Sequence, residues 1–397
     1  MTAFRRPGLG RTAERAKKLR FRFDGVSYEG LEGDTLASAL LANGVHLVGR
    51  SFKYHRPRGI MSAGSEEANA LVTFDRGKGR VTPNMRATTL ELFDGLEARS
   101  QNAWPTLKTD VGAFNDIASM VFPAGFYNKT FMWPKSFWDK LYEPFIRRMA
   151  GLGPAPTDED ADHYGATFDH CETLVIGAGP AGLAAAHAAA DAGGRVILVD
   201  EQAEFGGSLL SRPAAAIDGM PGWEWVEKTI EALTANDRVT LLPRTTAIGY
   251  YHDNYLALVE RLTDHKPSVT DREARERLHR VRAGKVVLAM GAIERPLVFA
   301  DNDVPGVMLA SAALTYLHRY SVAVGNDVAV VTSHDSAYEA AFALADAGIR
   351  IAGIIDARKE LTPELKAEVD KRRLPLHLSS TVTGVKGRHR VQSITSA

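Results

Sequence analysis

The sequence predicts an α/β protein, a doubly wound and mostly parallel sheet preceded by a small β-rich domain, and three observations carry that reading. From Thr173 to about Val385, short apolar runs alternate with helical stretches, the order that builds a parallel sheet. The first run opens directly into the glycine-rich turn Gly177-Ala178-Gly179-Pro180-Ala181-Gly182 and then into an alanine-rich helix. Nearer the start, Leu19-Arg20-Phe21-Arg22-Phe23 alternates apolar and charged side chains, as a half-buried strand does.

Along the chain, Asp24-Gly25 is a hairpin turn signal, with Val26 to Glu29 as the return strand. Asp34 is placed to cap a helix through Ala42, with Leu36, Leu40 and Leu41 on one face and Gly44 stopping it. A hairpin followed by a helix is how a plant-type ferredoxin domain opens, and there the next loop carries the cluster's cysteines. Here that loop reads Ser51-Phe52-Lys53-Tyr54-His55-Arg56-Pro57-Arg58-Gly59-Ile60 and contains none. Residues 1–94 are therefore expected to form a ferredoxin-like domain without a cluster. Residues 95–170 are expected to be an aromatic-rich connector, carrying Trp104, Phe122, Phe126, Tyr127, Phe131, Trp133, Phe137, Trp138, Tyr142 and Phe145. So many large apolar side chains fit either packing within the chain or a surface covered by another subunit. Gly151 to Asp162 reads as an exposed linker. Residues 171–397 hold the α/β pattern, with strands expected at Thr173–Ile176, Arg195–Val199, Val239–Leu242, Tyr255–Val259, Lys285–Leu288, Asp327–Val331 and Arg350–Ile355.

The glycine turn carries the chemistry. It follows the apolar strand Leu174-Val175-Ile176, and Pro180 opens the helix behind it. Gly177 permits the tight turn, Gly179 lets a pyrophosphate approach the backbone, and Gly182 allows close packing of the helix. Phosphates then meet a helix N-terminus, where unpaired N–H groups and the dipole favour negative charge. The next strand ends in Asp200, suited to accept hydrogen bonds from the adenosine ribose, and Glu201 beside it adds charge that repels the 2′-phosphate of NADP. NAD and FAD share this ADP half, so the motif leaves both open. Gly206-Gly207-Ser208 follows at the distance where two-dinucleotide flavoproteins have another glycine turn near the pyrophosphate. Lys285 to Ala292, with Ala289 and Gly291 at its end, resembles the segment that returns beside the dinucleotide in that superfamily. A second nucleotide loop is expected after Val328-Ala329-Val330-Val331. Thr332, Ser333 and His334 replace its glycines, which points to a retained scaffold with a weakened or lost site.

Composition removes other classes. Lys+Arg and Asp+Glu are both 48, so no global field recruits nucleic acid or an anionic membrane. Cys171 is the single cysteine, which excludes an internal disulfide, a cysteine-ligated zinc site and an iron–sulfur cluster. No apolar run approaches the roughly 18 residues a membrane helix needs, and the basic N-terminus lacks a signal peptide's apolar core, so a cytoplasmic location is expected. No Ser–His–Asp set, metal-ligand cluster or acid/base carboxylate pair emerges from spacing. His46, His55, His170, His187, His318 and His334 are scattered singly and read as structural or surface groups.

The whole pattern resembles the N-terminal part of the α subunit of bacterial heterotetrameric sarcosine oxidase. The residues behind this are Arg50 to Gly59, the Gly177–Gly182 turn, Val199-Asp200-Glu201-Gln202 with Gly206-Gly207, and Asp335-Ser336-Ala337-Tyr338. The resemblance implies an NAD-binding domain of the two-dinucleotide flavoprotein type, with Ala181, Asp200, Glu201, Gln202, Ser208 and Ala247 as NAD contacts. It also implies FMN enclosed at the contact with a β-type subunit, which itself binds FAD and oxidises sarcosine to glycine, with formaldehyde or methylenetetrahydrofolate and hydrogen peroxide as the other products. Smaller subunits complete that complex, and the isolated chain is expected to be inactive; the alternative reading is an NAD- or FAD-dependent oxidoreductase active alone. The basic loop Lys53, His55, Arg56 and Arg58 offers donors to a flavin phosphate or an acidic partner surface. The family's α subunits continue into a folate-binding domain, so the resemblance further implies a fragment or split gene product.

Overall fold

A computed structural model describes residues 4–10, 17–77, 79–117, 119, 133–148, 152–270 and 272–397. The chain forms two compact units, one of residues 161–294 and one that joins 1–160 to 295–397. This division differs from the expected ones at 94 and 170, because residues 295–397 pack with the N-terminal region.

The 161–294 unit is built on a six-stranded sheet. Its order is Val239–Leu242, Val196–Val199, His163–Ile176, Ala274–Leu288, Tyr255–Arg261, Thr245–Tyr251. The first four strands are parallel and the last two antiparallel. Successive side chains of a strand face opposite sides, and the apolar run Leu174-Val175-Ile176 supplies both. Val175 joins Leu183, Ala186, Leu198, Val226 and Leu233 beneath the helices Pro180–Asp191 and Gly222–Thr234. Leu174 and Ile176 join Ile197, Val199, Leu256, Leu258 and Val281 on the other face. Cys171 is buried there, and burial pushes its thiol up to about 11, so it packs as an inert apolar group. The central strands run well before Thr173 and Lys285. Each finds its ladder in the other from His163 and Ala274 onward, so polar alternating residues are drawn into the sheet.

In the other unit, Lys18–Phe23 and Val26–Leu31 form the expected hairpin within a five-stranded sheet completed by Glu97–Ser100, Leu71–Asp75 and Val81–Arg86. The helix Leu36–Ala42 is wholly buried, and its cap is Thr35, which forms a capping box with Ser38. Asp34, expected in that role, instead sits buried against Arg5 at 2.6 Å. The core of this sheet includes Leu309, Tyr316, Tyr320 and Val322 from the far end of the chain. A separate three-stranded parallel sheet holds Asp327–Thr332, Arg350–Asp356 and Leu376–His377, with the helices Ala310–His318, Ser336–Asp346 and Pro363–Lys371. The single doubly wound sheet of the sequence reading is thus two sheets. Strand-like residues after Leu288 find partners of their own and leave the first ladder.

The basic loop is engaged inside its own unit. Arg56 pairs with Asp301 and Asp303, Arg58 with Asp303, and His55 Nδ1 lies 2.7 Å from Asp110. Arg50 donates to the carbonyls of Leu107 and His55. Most of the donors expected to meet a flavin or a partner serve instead to hold residues 301–303 and 107–110. Of the aromatic segment, Trp104, Trp133, Phe137, Trp138 and Phe145 are exposed, while Phe122, Phe126, Tyr127 and Phe131 lie outside the described residues. Among the described residues no helix is long and apolar enough to cross a membrane, and no cluster of His, Cys, Asp and Glu is arranged to hold a metal.

Candidate functional site

The glycine turn stands at the carboxyl end of the strand His163–Ile176, where ligands of open α/β sheets bind. Gly177 has φ +96°, and a Cβ there would meet the Ala289 carbonyl oxygen at 2.5 Å. A Cβ on Gly182 would come within 1.8 Å of the Gly177 carbonyl oxygen. Both glycines are therefore demanded by the turn's own packing. Gly179 differs. Its added Cβ would find only the Gly207 Cα, at 3.9 Å, so the space before it is open. Gly179 is the N-cap of the helix Pro180–Asp191 and offers no side chain to the first-turn N–H groups. Those donors, with the dipole behind them, form a seat for an anion.

Asp200 lies beside this seat. Its Oδ2 accepts from Ala178 N–H at 2.7 Å and its Oδ1 from Gln202 N–H at 2.9 Å. One carboxylate thus ties the glycine turn to the turn after the second strand, and each oxygen keeps a lone pair for a ligand hydroxyl. Glu201 and Gln202 follow in that turn, where the Glu201 carbonyl accepts from Arg261 Nη2 at 2.8 Å and the Gln202 carbonyl from Arg244 N–H at 2.9 Å. The second glycine turn is brought against the first. Gly206 N–H donates to the Ala178 carbonyl at 2.8 Å, and a Cβ on Gly207 would strike the Gly179 Cα at 2.8 Å. Ser208 and Ala181 are both exposed, each at the start of its helix.

Ala289 N–H donates to the Ile176 carbonyl at 2.8 Å and supports the turn from below, while Gly291, φ +72°, continues into exposed chain. Ala247 lies two residues beyond Thr245, whose N–H donates to the Asp200 carbonyl at 2.7 Å, and packs on the core face opposite the helices. The twelve candidate residues are therefore not one cluster. Gly177, Gly179, Ala181, Gly182, Asp200, Gly207, Ser208 and Ala289 surround the two turns, Glu201 and Gln202 flank them, and Ala247 and Gly291 sit at the margin. Sequence reading missed Ala178, whose backbone carries bonds to both Asp200 and Gly206. Backbone bonding has no residue-type signal.

The second strand–turn–helix, at Thr332 to Ser336, uses up its own polar groups. Thr332 Oγ1 donates to the His334 carbonyl and accepts from His334 N–H, and Ser336 Oγ lies 2.9 Å from His334 Nδ1. Arg358 spans the turn's mouth, 2.6 Å from Asp335 and 2.8 Å from the fully buried Asp356. Burial would push the Asp356 carboxyl up, but hydrogen bonds from Arg358 hold it below the usual carboxylate range. A cavity of about 180 Å³ lies at the amino ends of the first sheet's strands, lined by Asp169, His170, Arg195, Asp237, Arg238 and His279. It is smaller than the roughly 300 Å³ at which ligand pockets begin, and it is at the wrong end of the strands for a dinucleotide.

Residues 172–396 match the family described as pyridine nucleotide-disulphide oxidoreductase, and residues 16–103 match a 2Fe-2S iron-sulfur cluster binding domain. The chain is 51% identical over 395 residues, 99% of its length, to sarcosine oxidase subunit alpha of Rhizobium meliloti, and it spans 39% of that protein. It is 37% identical over 356 residues to sarcosine oxidase subunit alpha of a Corynebacterium species, covering 89% of this chain and 32% of that one. Among solved structures, L-proline dehydrogenase from P. horikoshii shares the fold, with a TM-score of 0.60 and 19% identity over 99% of this chain and 59% of that chain. The cluster named for the N-terminal match does not fit the residues here, since the one cysteine, Cys171, lies outside 16–103. The chain belongs to the pyridine nucleotide-disulphide oxidoreductase family and is similar over most of its length to about a third of the sarcosine oxidase α subunits it matches.

Proposed function

We propose that this chain is the NAD-binding portion of the α subunit of a multi-subunit sarcosine oxidase. The observation that carries the reading is the uncapped N-terminus of the helix Pro180–Asp191, open in front of Gly179 and flanked by the carboxylate of Asp200. In this reading the first-turn N–H groups and the Gly207 turn hold the pyrophosphate. Asp200, with Glu201 and Gln202, receives the adenosine ribose. Ala181, Gly182 and Ser208 line the phosphate side, and Ala247, Ala289 and Gly291 bound the seat. FAD shares the same half-molecule, but NAD is favoured by the likeness to α subunits, where the oxidising flavin belongs to the partner.

The oxidation of sarcosine to glycine would then take place on a β-type FAD-bearing subunit, with FMN at its contact with this chain and smaller subunits completing the assembly. In this reading the residues of this chain position a nucleotide. The test is to denature the purified protein and identify the released nucleotide by mass and absorbance. NAD supports the reading, FAD moves the flavin into this chain, and an empty protein that also fails to bind added NAD removes the proposal.

A further inference from the structure

The N-terminal match is to a cluster-binding domain, yet the structure shows a carboxylate at the centre of the loop where ligands would converge. Plant-type clusters are held by Cys-x4-Cys-x2-Cys and a fourth cysteine farther along. Between Gly59 and the strand Leu71–Asp75, the triplet with that spacing whose three members are all buried is Ser62, Glu67 and Ala70, with exposures of 0%, 1% and 0%. The loop folds around the middle residue. Glu67 Oε2 accepts from Met61 N–H at 2.8 Å and Ser62 N–H at 2.7 Å, and Oε1 from Asn69 N–H at 2.7 Å and Ala70 N–H at 3.1 Å. Ser62 Oγ adds a longer bond at 3.3 Å. Thr88, also buried, reaches back into the loop and donates to the Gly64 carbonyl at 2.7 Å.

We propose that Glu67 is a built-in replacement for the cluster anion, with Ser62, Ala70 and Thr88 at the remaining ligand positions. Backbone N–H groups turned inward make an anion site, and a thiolate-bound cluster is an anion tuned by hydrogen bonds to its sulfurs. With the cluster gone, the N–H groups of Ser62 and Ala70, which are buried, and of Met61 and Asn69, which are half-buried, would be left turned inward without an acceptor. A carboxylate on the loop itself meets all four. The ligand loop is thus ten residues beyond Ser51–Ile60, where sequence order alone had placed it.

The replacement keeps the loop as a brace. The Ser62 carbonyl accepts from Tyr316 Oη at 2.7 Å, and the Met61 carbonyl from Leu309 N–H at 2.9 Å, so the loop holds the helix Ala310–His318 to this unit. Serine, alanine, threonine and a hydrogen-bonded glutamate do not hold iron and sulfide, so these positions do not carry a cluster.

The test uses the full chain. Glu67→Ala empties the seat, and formate, a carboxylate small enough to enter it, should raise the melting temperature of that variant saturably and leave the wild type unmoved. An equal response in both proteins overturns the proposal. If Glu67→Ala does not fold, Glu67→Gln decides, since it keeps the shape and removes the charge. Melting as high as the wild type overturns the proposal, and a clear loss supports it. The ligand positions are tested by Ser62→Cys, Glu67→Cys, Ala70→Cys and Thr88→Cys together, reconstituted anaerobically with ferrous iron and sulfide. Uptake of about two irons per chain, with a paramagnetic signal on reduction, is expected. A folded variant that stays iron-free sinks the assignment of these positions.

Discussion

Asp200→Asn is the most informative single substitution at the nucleotide seat. The carboxylate accepts one backbone N–H on each oxygen, from Ala178 and from Gln202. An amide of the same shape has one acceptor oxygen, so its NH₂ must face one of those donors. Losing a charge-assisted bond costs about 1.5–3 kcal/mol. The same range applies to a ribose hydroxyl that donates to the charged oxygen. At about 1.4 kcal/mol per decade, NAD should bind about 10- to 140-fold more weakly. The wild type should prefer NAD over NADP by more than about tenfold, because the charges of Asp200 and Glu201 oppose a 2′-phosphate. In the variant that preference should shrink, with Glu201 keeping part of it. Calorimetric titration of both proteins with both cofactors measures all four constants. Unchanged NAD affinity in Asp200→Asn, or equal affinities of the wild type for NAD and NADP, would refute the reasoning.

The two kinds of glycine should separate by assay. Gly182→Ala places a Cβ 1.8 Å from the Gly177 carbonyl oxygen and should cost about 1–3 kcal/mol or more in urea unfolding, whereas Gly179→Val should fold and lose its nucleotide. A fully stable Gly182→Ala, or a Gly179→Val that keeps its nucleotide, contradicts that division. Burial alone would lower the pKa of His279, yet ring hydrogen bonds to Glu260 at 3.0 Å and Asp169 at 2.9 Å raise it above 6.5. Its stabilisation is complete below that ordinary value and is lost as pH rises through the raised one. The melting temperature should fall across that window and the fall should vanish in His279→Gln; an identical pH profile in the variant argues against the ion triad. Finally, the isolated chain should not oxidise sarcosine and should bind a β-type subunit on co-expression. Sarcosine turnover by the chain alone would place the chemistry here.

What the sequence determined by itself is local. The strand–turn–helix at Gly177–Gly182, the acidic end of the next strand and the Leu19–Phe23 hairpin are written in short-range periodicity and in residue types that few backbones need, so they were legible directly. The loss of cluster ligands was legible too, because a missing cysteine is a fact of composition. Partners were not. Strands at 327 and 350 carry the same apolar signal as those at 174 and 196, and nothing in that signal says which ladder they join; the tertiary structure gave them their own sheet. Arg56 and Arg58 read as free donors until residues 301–303, more than two hundred positions away, supplied their carboxylates. The same holds for Glu67, an ordinary glutamate in the sequence, whose four N–H partners converge only once the loop 61–70 has closed around it. Periodicity reports which way a side chain faces, whereas pairing across long separations depends on where the rest of the chain has packed.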